Sequence, residues 1–185
     1  MNLAQTIIHC TKAIRELWPD PLAQQWLQQY PELFDDYDLR LTVNQPRNHF
    51  CEWFAAIHLF HRDGAHSLVE NYVFQNHPAK VARLATLLSG PERKTLDAIR
   101  DTYAVQPPDL LVFVPGTSRF WFAEVKGPGD RLSAKQMRSH DALTHELGVP
   151  VEIIEVKIPR GRVPTPALER IAGSDLLAAA VRRDR

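Results

Sequence analysis

The stretch PDLLVFVPGTSRFWFAEVKGPGDRLSAKQ, residues 108–136, decides the fold. Two runs rich in β-branched and aromatic residues flank a Pro-Gly turn, a pattern typical of an antiparallel hairpin. Ser133 and Gln136 then form a capping-box pattern, which predicts a helix over 133–147. A further apolar run at 151–156 follows that helix and predicts a strand joined by a parallel crossover. The sequence therefore predicts an α/β domain with a mixed central sheet flanked by helices.

The hairpin brings charged side chains together at one end of the predicted sheet. A turn centred on Gly116-Thr117 places Asp109 opposite Glu124, and strand alternation puts Lys126 on the face of Glu124. Two facing carboxylates repel each other unless a proton or a cation lies between them. Carboxylates at this spacing suit Mg²⁺, and a nearby lysine suits phosphodiester hydrolysis. The alternative is a salt-bridge ladder on an exposed strand.

Composition sets the broad class of protein. The 185 residues are 44% hydrophobic and 24% charged, which is typical of one globular domain. The sequence lacks an apolar run long enough to span a membrane, and its start does not resemble a signal peptide. Cys10 and Cys51 show no metal or disulfide spacing, so we expect free thiols in a reducing cytoplasm.

Charge is unevenly distributed although its sum is zero. Residues 1–40 carry a net negative charge, whereas residues 119–138 and 157–185 carry a net positive charge. A basic face for nucleic acid is compatible with this pattern, and so is an ordinary solvated surface with a basic tail.

The remaining segments are mostly predicted as helices. Apolar residues at three- and four-residue steps predict an amphipathic helix at the N-terminus, residues 3–17. A loop is expected over 34–48, and residues 67–74 fit either a strand or a helix. Further helices are expected over 22–30, 49–63, 78–89, 91–103 and 167–181.

The Pro-Asp before the hairpin and the Glu-Val-Lys after it match the PD-(D/E)xK nuclease motif. With the continuation GPGDRLSAKQ, residues 108–156 closely resemble the virus-type replication–repair nuclease (VRR-NUC) domain. The resemblance implies a restriction-endonuclease-like core with extra N-terminal and inserted helices. It further implies an Mg²⁺- or Mn²⁺-dependent nuclease that cuts branched or flapped DNA and works as a homodimer. A catalytically silent binding module and a DNA-degrading defence or toxin effector are the alternatives.

The resemblance also assigns roles by position. Asp109, Glu124 and the backbone carbonyl of Val125 would hold the metal, and Lys126 would position the attacking water. Gln136 would point at the same site, although it also fits a simple capping role.

A carboxylate on the first core helix is a further feature that the resemblance implies. Glu52, in the run EWFAAIHLFHRDG, fits this position, with Glu70 as the alternative. A glutamate at a helix start is also favoured by the helix dipole alone. Arg131, Lys135 and Arg119 are candidate DNA-binding residues that could equally be solvated charges.

Three regions are expected along the chain. Residues 1–47 would form an N-terminal helical extension. Residues 48–158 would form the nuclease core, interrupted by a helical insertion at about 76–104. Residues 159–185 would form a proline-containing linker and a C-terminal helix.

Overall fold

The computed structural model describes residues 4–74 and 76–158. The linker and helix expected over 159–185 lie outside the described residues. Five strands form one mixed sheet in this part of the chain: β1 (Ala4–His9), β2 (His66–Val69), β3 (Leu110–Phe113), β4 (Phe120–Lys126) and β5 (Val151–Lys157). The helices are α1 (Lys12–Glu16), α2 (Leu22–Gln29), α3 (Asp36–Asn44), α4 (Phe50–Asp63), α5 (Pro78–Leu87), α6 (Gly90–Tyr103) and α7 (Ala134–Glu146).

The strand order is β1-β5-β4-β3-β2, so β4 lies at the centre of the sheet. β3 and β4 pair antiparallel with Leu110 opposite Ala123 and Phe113 opposite Phe120, which is the register predicted from the Pro-Gly turn. β4 and β5 pair parallel, with α7 as the crossover between them. The mixed α/β core expected from the sequence is therefore confirmed.

Helices cover both faces of the sheet because β4 is apolar on both sides. Trp121, Ala123 and Val125 pack in a cluster with α1, α2 and α4. Phe122, on the opposite face, packs in a second cluster with residues of α5, α6 and α7. Within the described residues, no helix combines the length and hydrophobicity that crossing a bilayer requires.

The single helix predicted over 3–17 is wrong for its first half. Residues 4–9 form β1, which pairs parallel with β5 from Ala4–Glu152 to His9–Lys157. Only residues 12–16 are helical, with Thr11 as the N-cap. The helical spacing of the apolar residues is overridden by hydrogen bonds to a strand that lies far away in the sequence. The expected extension over 1–47 thus contributes a strand to the sheet as well as helices.

The loop predicted over 34–48 is also wrong, because most of it forms α3. Asp35 caps this helix, and the Asp38 side chain accepts a hydrogen bond from the Asp35 N–H. An Asp-x-x-Asp pair of this kind works as a capping box, with aspartate in the place of the usual glutamate. The segment 67–74, for which the sequence left strand and helix open, forms β2 as far as Val69 and then turns.

Candidate active site

The candidate site lies at the end of the sheet where β3 begins and β4 ends. Asp109 immediately precedes β3, and its Oδ2 accepts a hydrogen bond of 2.8 Å from the Val125 N–H. The charges of Glu124 and Lys126 both act on the pKa of Asp109, Glu124 raising it and Lys126 lowering it, so the three groups lie in one neighbourhood. Because β4 is central and Glu124 is only 3% exposed, the alternative of a ladder on an exposed strand does not hold.

Three carboxylates meet at this end of the sheet. Oxygens of Glu52, Glu70 and Asp109 all lie within 4.8 Å of one another. Glu52 comes from the first turn of α4, and Glu70 follows β2 directly. From the sequence, Glu70 is expected only as an alternative to Glu52, whereas the structure places both beside Asp109. Glu124 lies next to this group of three without belonging to it.

Asp109 and Glu52 are in an environment that disfavours their negative charge. Burial raises the pKa of Asp109 well above its usual range, and the neighbouring Glu124 and Glu52 add to this effect. Burial and the nearby Glu70 raise the pKa of Glu52 to about 7. A cation bound between the carboxylates would relieve their mutual repulsion, and hard oxygen donors suit Mg²⁺ or Mn²⁺. The residues present therefore fit a divalent metal ion.

Glu124 is in the opposite situation, since donors surround it. Its Oε1 accepts hydrogen bonds of 2.6 Å from Lys126 Nζ and 2.6 Å from Gln136 Nε2. On its other side, His140 Nε2 lies 3.3 Å from Oε2. Burial alone would raise the pKa of Glu124, but the hydrogen bonds from His140 and Lys126 outweigh it and lower the pKa. Glu124 is thus held as a carboxylate in a fixed orientation.

Gln136 takes part in the helix cap and in the site at once. Its Oε1 accepts from the Ser133 N–H at 3.0 Å, while Ser133 Oγ accepts from the Gln136 N–H at 3.1 Å. The Nε2 group remains free to donate to Glu124. The cap fixes the side chain from one end and thereby aims the amide nitrogen at the carboxylate.

Two histidines at the site were missed by sequence reasoning. His140 is 1% exposed and lies one helical turn after Gln136, so the spacing of four residues could have indicated it. His49 Nδ1 lies 2.6 Å from Glu70 Oε2. Burial lowers the pKa of His49, but its hydrogen bond to Glu70 and the nearby carboxylates together outweigh burial and raise the pKa. Nothing in the sequence around His49 indicates this pairing.

The three candidate DNA-binding residues lie in different places. Arg131 and Lys135 are exposed on the loop and first turn that follow β4, close to Gln136. Arg119 is exposed at the other end of β4, with its guanidinium 5.0 Å above the Trp121 ring. Residues 120–123 of β4 separate it from Glu124, which is about 17 Å at the usual rise. The structure does not bring Arg119 to the site.

Comparisons with known proteins identify the family. The profile of the VRR-NUC domain family matches residues 66–163, just over half of the chain. No protein with a curated function matches the chain. Among solved structures, paFAN1 bound to 2nt 5′ flap DNA with a gap is similar, with 25% sequence identity and a TM-score of 0.38. That similarity covers 45% of this chain and 16% of the paFAN1 chain, so this chain corresponds to a small part of that protein's length.

Proposed function

The chain belongs to the VRR-NUC domain family, and we propose that it is a metal-dependent nuclease that hydrolyses DNA phosphodiester bonds. Its preferred substrates under this proposal are branched or flapped DNA, and its metal is Mg²⁺ or Mn²⁺. The observation that carries the proposal is the meeting of Glu52, Glu70 and Asp109 beside the Glu124–Lys126 pair. Carboxylates that face one another next to a lysine match the needs of phosphodiester hydrolysis.

Two groups of residues would supply oxygen ligands to the metal. Glu52, Glu70 and Asp109 offer the converging oxygens, and Glu124 and the Val125 carbonyl offer further oxygens from the end of β4. When bound, the ion supplies a Lewis acid for the phosphate oxygens and lowers the pKa of a coordinated water. Gln136 and His140 keep the Glu124 side chain in place during this binding.

Lys126 is the group placed to act on the reacting atoms. Its ammonium is held by Glu124 at 2.6 Å and is partly exposed at the end of the strand. From there it orients the attacking water oxygen and neutralises negative charge that builds up on the phosphate. The water oxygen forms a bond to phosphorus as the ester P–O bond breaks, giving a terminal phosphate and a free hydroxyl.

The direct test is cleavage of labelled DNA by the purified protein in Mg²⁺ or Mn²⁺, with EDTA as the metal-free control. Asp109→Ala and Lys126→Ala should each lower the cleavage rate by about a thousandfold or more because each removes part of the site. Asp141→Ala and Lys94→Ala remove exposed side chains of the same types elsewhere and should cut normally. Full activity in either site variant would contradict the assignment.

The choice of substrate and partner is tested with a panel. Flap, fork, four-way junction, single-stranded and plain duplex DNA, together with RNA, are compared in Mn²⁺. Faster cleavage of the flap or junction than of plain duplex supports the proposed preference. Cleavage of none of them would favour a binding module without catalysis. The homodimer is tested by measuring the molar mass with light scattering as the protein elutes from a size-exclusion column.

A further inference from the structure

A cleft of ≈ 580 Å³ opens beside the candidate site. Glu52 and Glu70 line one part of it, and the loop after β4 lines another with Gly127, Pro128 and Asp130. The remaining wall comes from α1 and from the segment before α4: Arg15, Gln45, Arg47, Asn48 and His49. These wall residues precede residues 66–163, which match the family profile.

Several contacts anchor this wall. Arg15 Nη2 donates to the Arg47 carbonyl at 3.3 Å, and Trp18 Nε1 donates to the Asn48 carbonyl at 3.0 Å. The Arg15 guanidinium also lies 4.9 Å from the centre of the Phe50 ring. Asn48 Nδ2 donates to Gln45 Oε1 at 3.1 Å within the segment. The wall is therefore tied to α1 and to the start of α4.

The two arginines in this wall have no ion-pair partner among the described residues. Within residues 4–74 and 76–158, neither Arg15 nor Arg47 forms an ion pair with a carboxylate. By contrast, Arg62, Arg93 and Arg100 each pair with an aspartate or glutamate. Two guanidinium groups that line a cleft without an ion-paired carboxylate are well suited to bind phosphate.

We propose that Arg15 and Arg47 bind a backbone phosphate of the DNA strand next to the phosphodiester that is cut. This inference rests on the proposed nuclease function and deepens it. A DNA strand that brings one phosphodiester to Glu52 and Glu70 continues along the same cleft, where its neighbouring phosphate meets the arginines. Phosphate contacts fix the position of the strand without reading its sequence.

The test measures binding of a fluorescein-labelled 5′-flap DNA by anisotropy, with Lys126→Ala as the background that prevents cleavage. Arg15→Gln and Arg47→Gln should each weaken binding by about tenfold, the typical effect of losing a hydrogen bond to a charged group. The slope of log K against log salt should fall by about 0.7 to 0.9 for each lost phosphate contact. Flaps of different sequence should lose affinity equally.

Arg40→Gln is the matched control. Arg40 is exposed on α3, its guanidinium lies 5.8 Å from the Tyr37 ring, and it does not line the cleft. Its variant should bind the flap like the unaltered protein. Thermal melting confirms that each variant folds. Arg47→Gln is the safer probe, because only the backbone carbonyl of Arg47 makes a hydrogen bond in the described residues.

Three results would overturn the inference. These are unchanged affinity and salt slope in Arg47→Gln, an equal loss in Arg40→Gln, and absence of any binding of the flap. Failure of the proposed function looks different, because the unaltered protein would then bind the flap without cutting it in Mg²⁺ or Mn²⁺. The binding and cleavage measurements therefore separate the two.

Discussion

Asp109 and Glu124 are carboxylates on neighbouring ends of one hairpin, yet their surroundings differ. Asp109 receives one backbone N–H and faces other carboxylates, so burial and repulsion raise its pKa. Glu124 instead faces donors: it accepts hydrogen bonds from Lys126 and Gln136, and His140 lies beside its other oxygen. The environment of Asp109 favours binding of a cation. The environment of Glu124 keeps its carboxylate charged and fixes its orientation next to the lysine.

A substitution of Gln136 tests its contact with Glu124 and its contact with Ser133 in the helix cap by separate measurements. Gln136→Ala should lower the cleavage rate by about tenfold or more, because Glu124 loses a 2.6 Å hydrogen bond that orients it. It should also cost about 1 kcal/mol of stability through the damaged helix cap. Rates in Mn²⁺ and denaturant unfolding measure the two effects.

Ser133→Ala is the control for this variant. It removes the Oγ acceptor of the Gln136 N–H and leaves the Gln136 amide group in the chain. We expect a similar loss of stability, about 1 kcal/mol, with little change in rate. An equal loss of rate in both variants would show that Gln136 acts only through the cap.

Lys80 provides a second prediction at the scale of a single residue. Its buried ammonium donates to Asp38 Oδ1 and to the carbonyls of Val69 and Glu70. It therefore holds the backbone that carries the Glu70 carboxylate. Lys80→Met should cost about 3 kcal/mol of stability, because Asp38 is left buried without its cation. Cleavage should also slow as Glu70 shifts.

The double variant Lys80→Met with Asp38→Asn tests that reason. It removes both charges and keeps an acceptor for the Asp35 N–H. Most of the lost stability should return, whereas the rate should stay low because the Val69 and Glu70 carbonyls still lack their donor. Recovery of the full rate would contradict a role for Lys80 in placing Glu70.

At the scale of elements, local signals predicted the β3–β4 hairpin and α7 well. The Pro-Gly turn and the alternation in FWFAEVK fix the register, and Ser133 with Gln136 marks the helix start. The placement of Asp109 next to Glu124 follows from that register. These features depend on residues close together in the sequence, so the sequence contains the information.

Other elements depend on contacts between distant segments. β1 forms because its backbone pairs with β5, roughly 150 residues later, and its own apolar spacing favours a helix. Glu70 reaches the site through a turn in which Glu70 and Asn71 have φ of 42° and 50°. Asparagine tolerates this left-handed region but glutamate rarely adopts it, so the sequence alone does not place the Glu70 carboxylate beside Asp109.

A cluster around Glu152 ties β1, β4 and α4 to β5. The Glu152 carboxylate accepts from Thr6 at 2.5 Å, from Arg62 at 2.7 and 3.0 Å, and from Trp121 at 3.1 Å. Burial would raise its pKa, but the hydrogen bonds from Arg62 and Thr6 lower it below the ordinary value. Asp63, which also binds Arg62 at 2.7 Å, is the other acidic group in this cluster.

This cluster predicts a pH dependence of stability. Because the pKa of Glu152 is lower in the folded state, its contribution is present above the ordinary pKa of 4.5 and is lost as the pH falls below it. Glu152→Gln should cost about 2 kcal/mol at pH 7 and progressively less as the pH falls below 4.5. Glu155→Gln, which removes an exposed carboxylate paired to Lys157 at 3.7 Å, should have little effect at either pH.

The free energy of unfolding, measured in urea at several pH values, tests this expectation. A constant difference between the unaltered protein and Glu152→Gln across the range would contradict it. So would an equal effect of Glu155→Gln, because that result would point to net charge and not to the buried cluster.

At the scale of the whole molecule, residues 4–47 are part of the fold. Trp18 and Trp26 are buried and pack 5.7 and 5.9 Å from the Phe50 ring of α4. A chain shortened to residues 48–185 loses these rings and β1, which exposes the edge of β5. We expect it to aggregate or to unfold at a much lower temperature than the full chain.

Size-exclusion chromatography and thermal melting by circular dichroism test this. A shortened chain that does not aggregate and melts within a few degrees of the full chain would show that residues 1–47 form a separate unit. The expected outcome instead means that residue 47, the boundary expected from the sequence, does not divide the folding unit.

The position of β1 beside β5 has a consequence during protein synthesis. β1 leaves the ribosome first, but its partner is completed only when residue 157 has been added. At about 5–20 residues per second, the nascent strand waits roughly 7–30 s with its backbone unpaired. Throughout that interval the newly made chain contains β1 without β5, the strand that joins β1 to the rest of the sheet. Protection of the unpaired β1 backbone then depends on the factors that contact the chain at the ribosome exit.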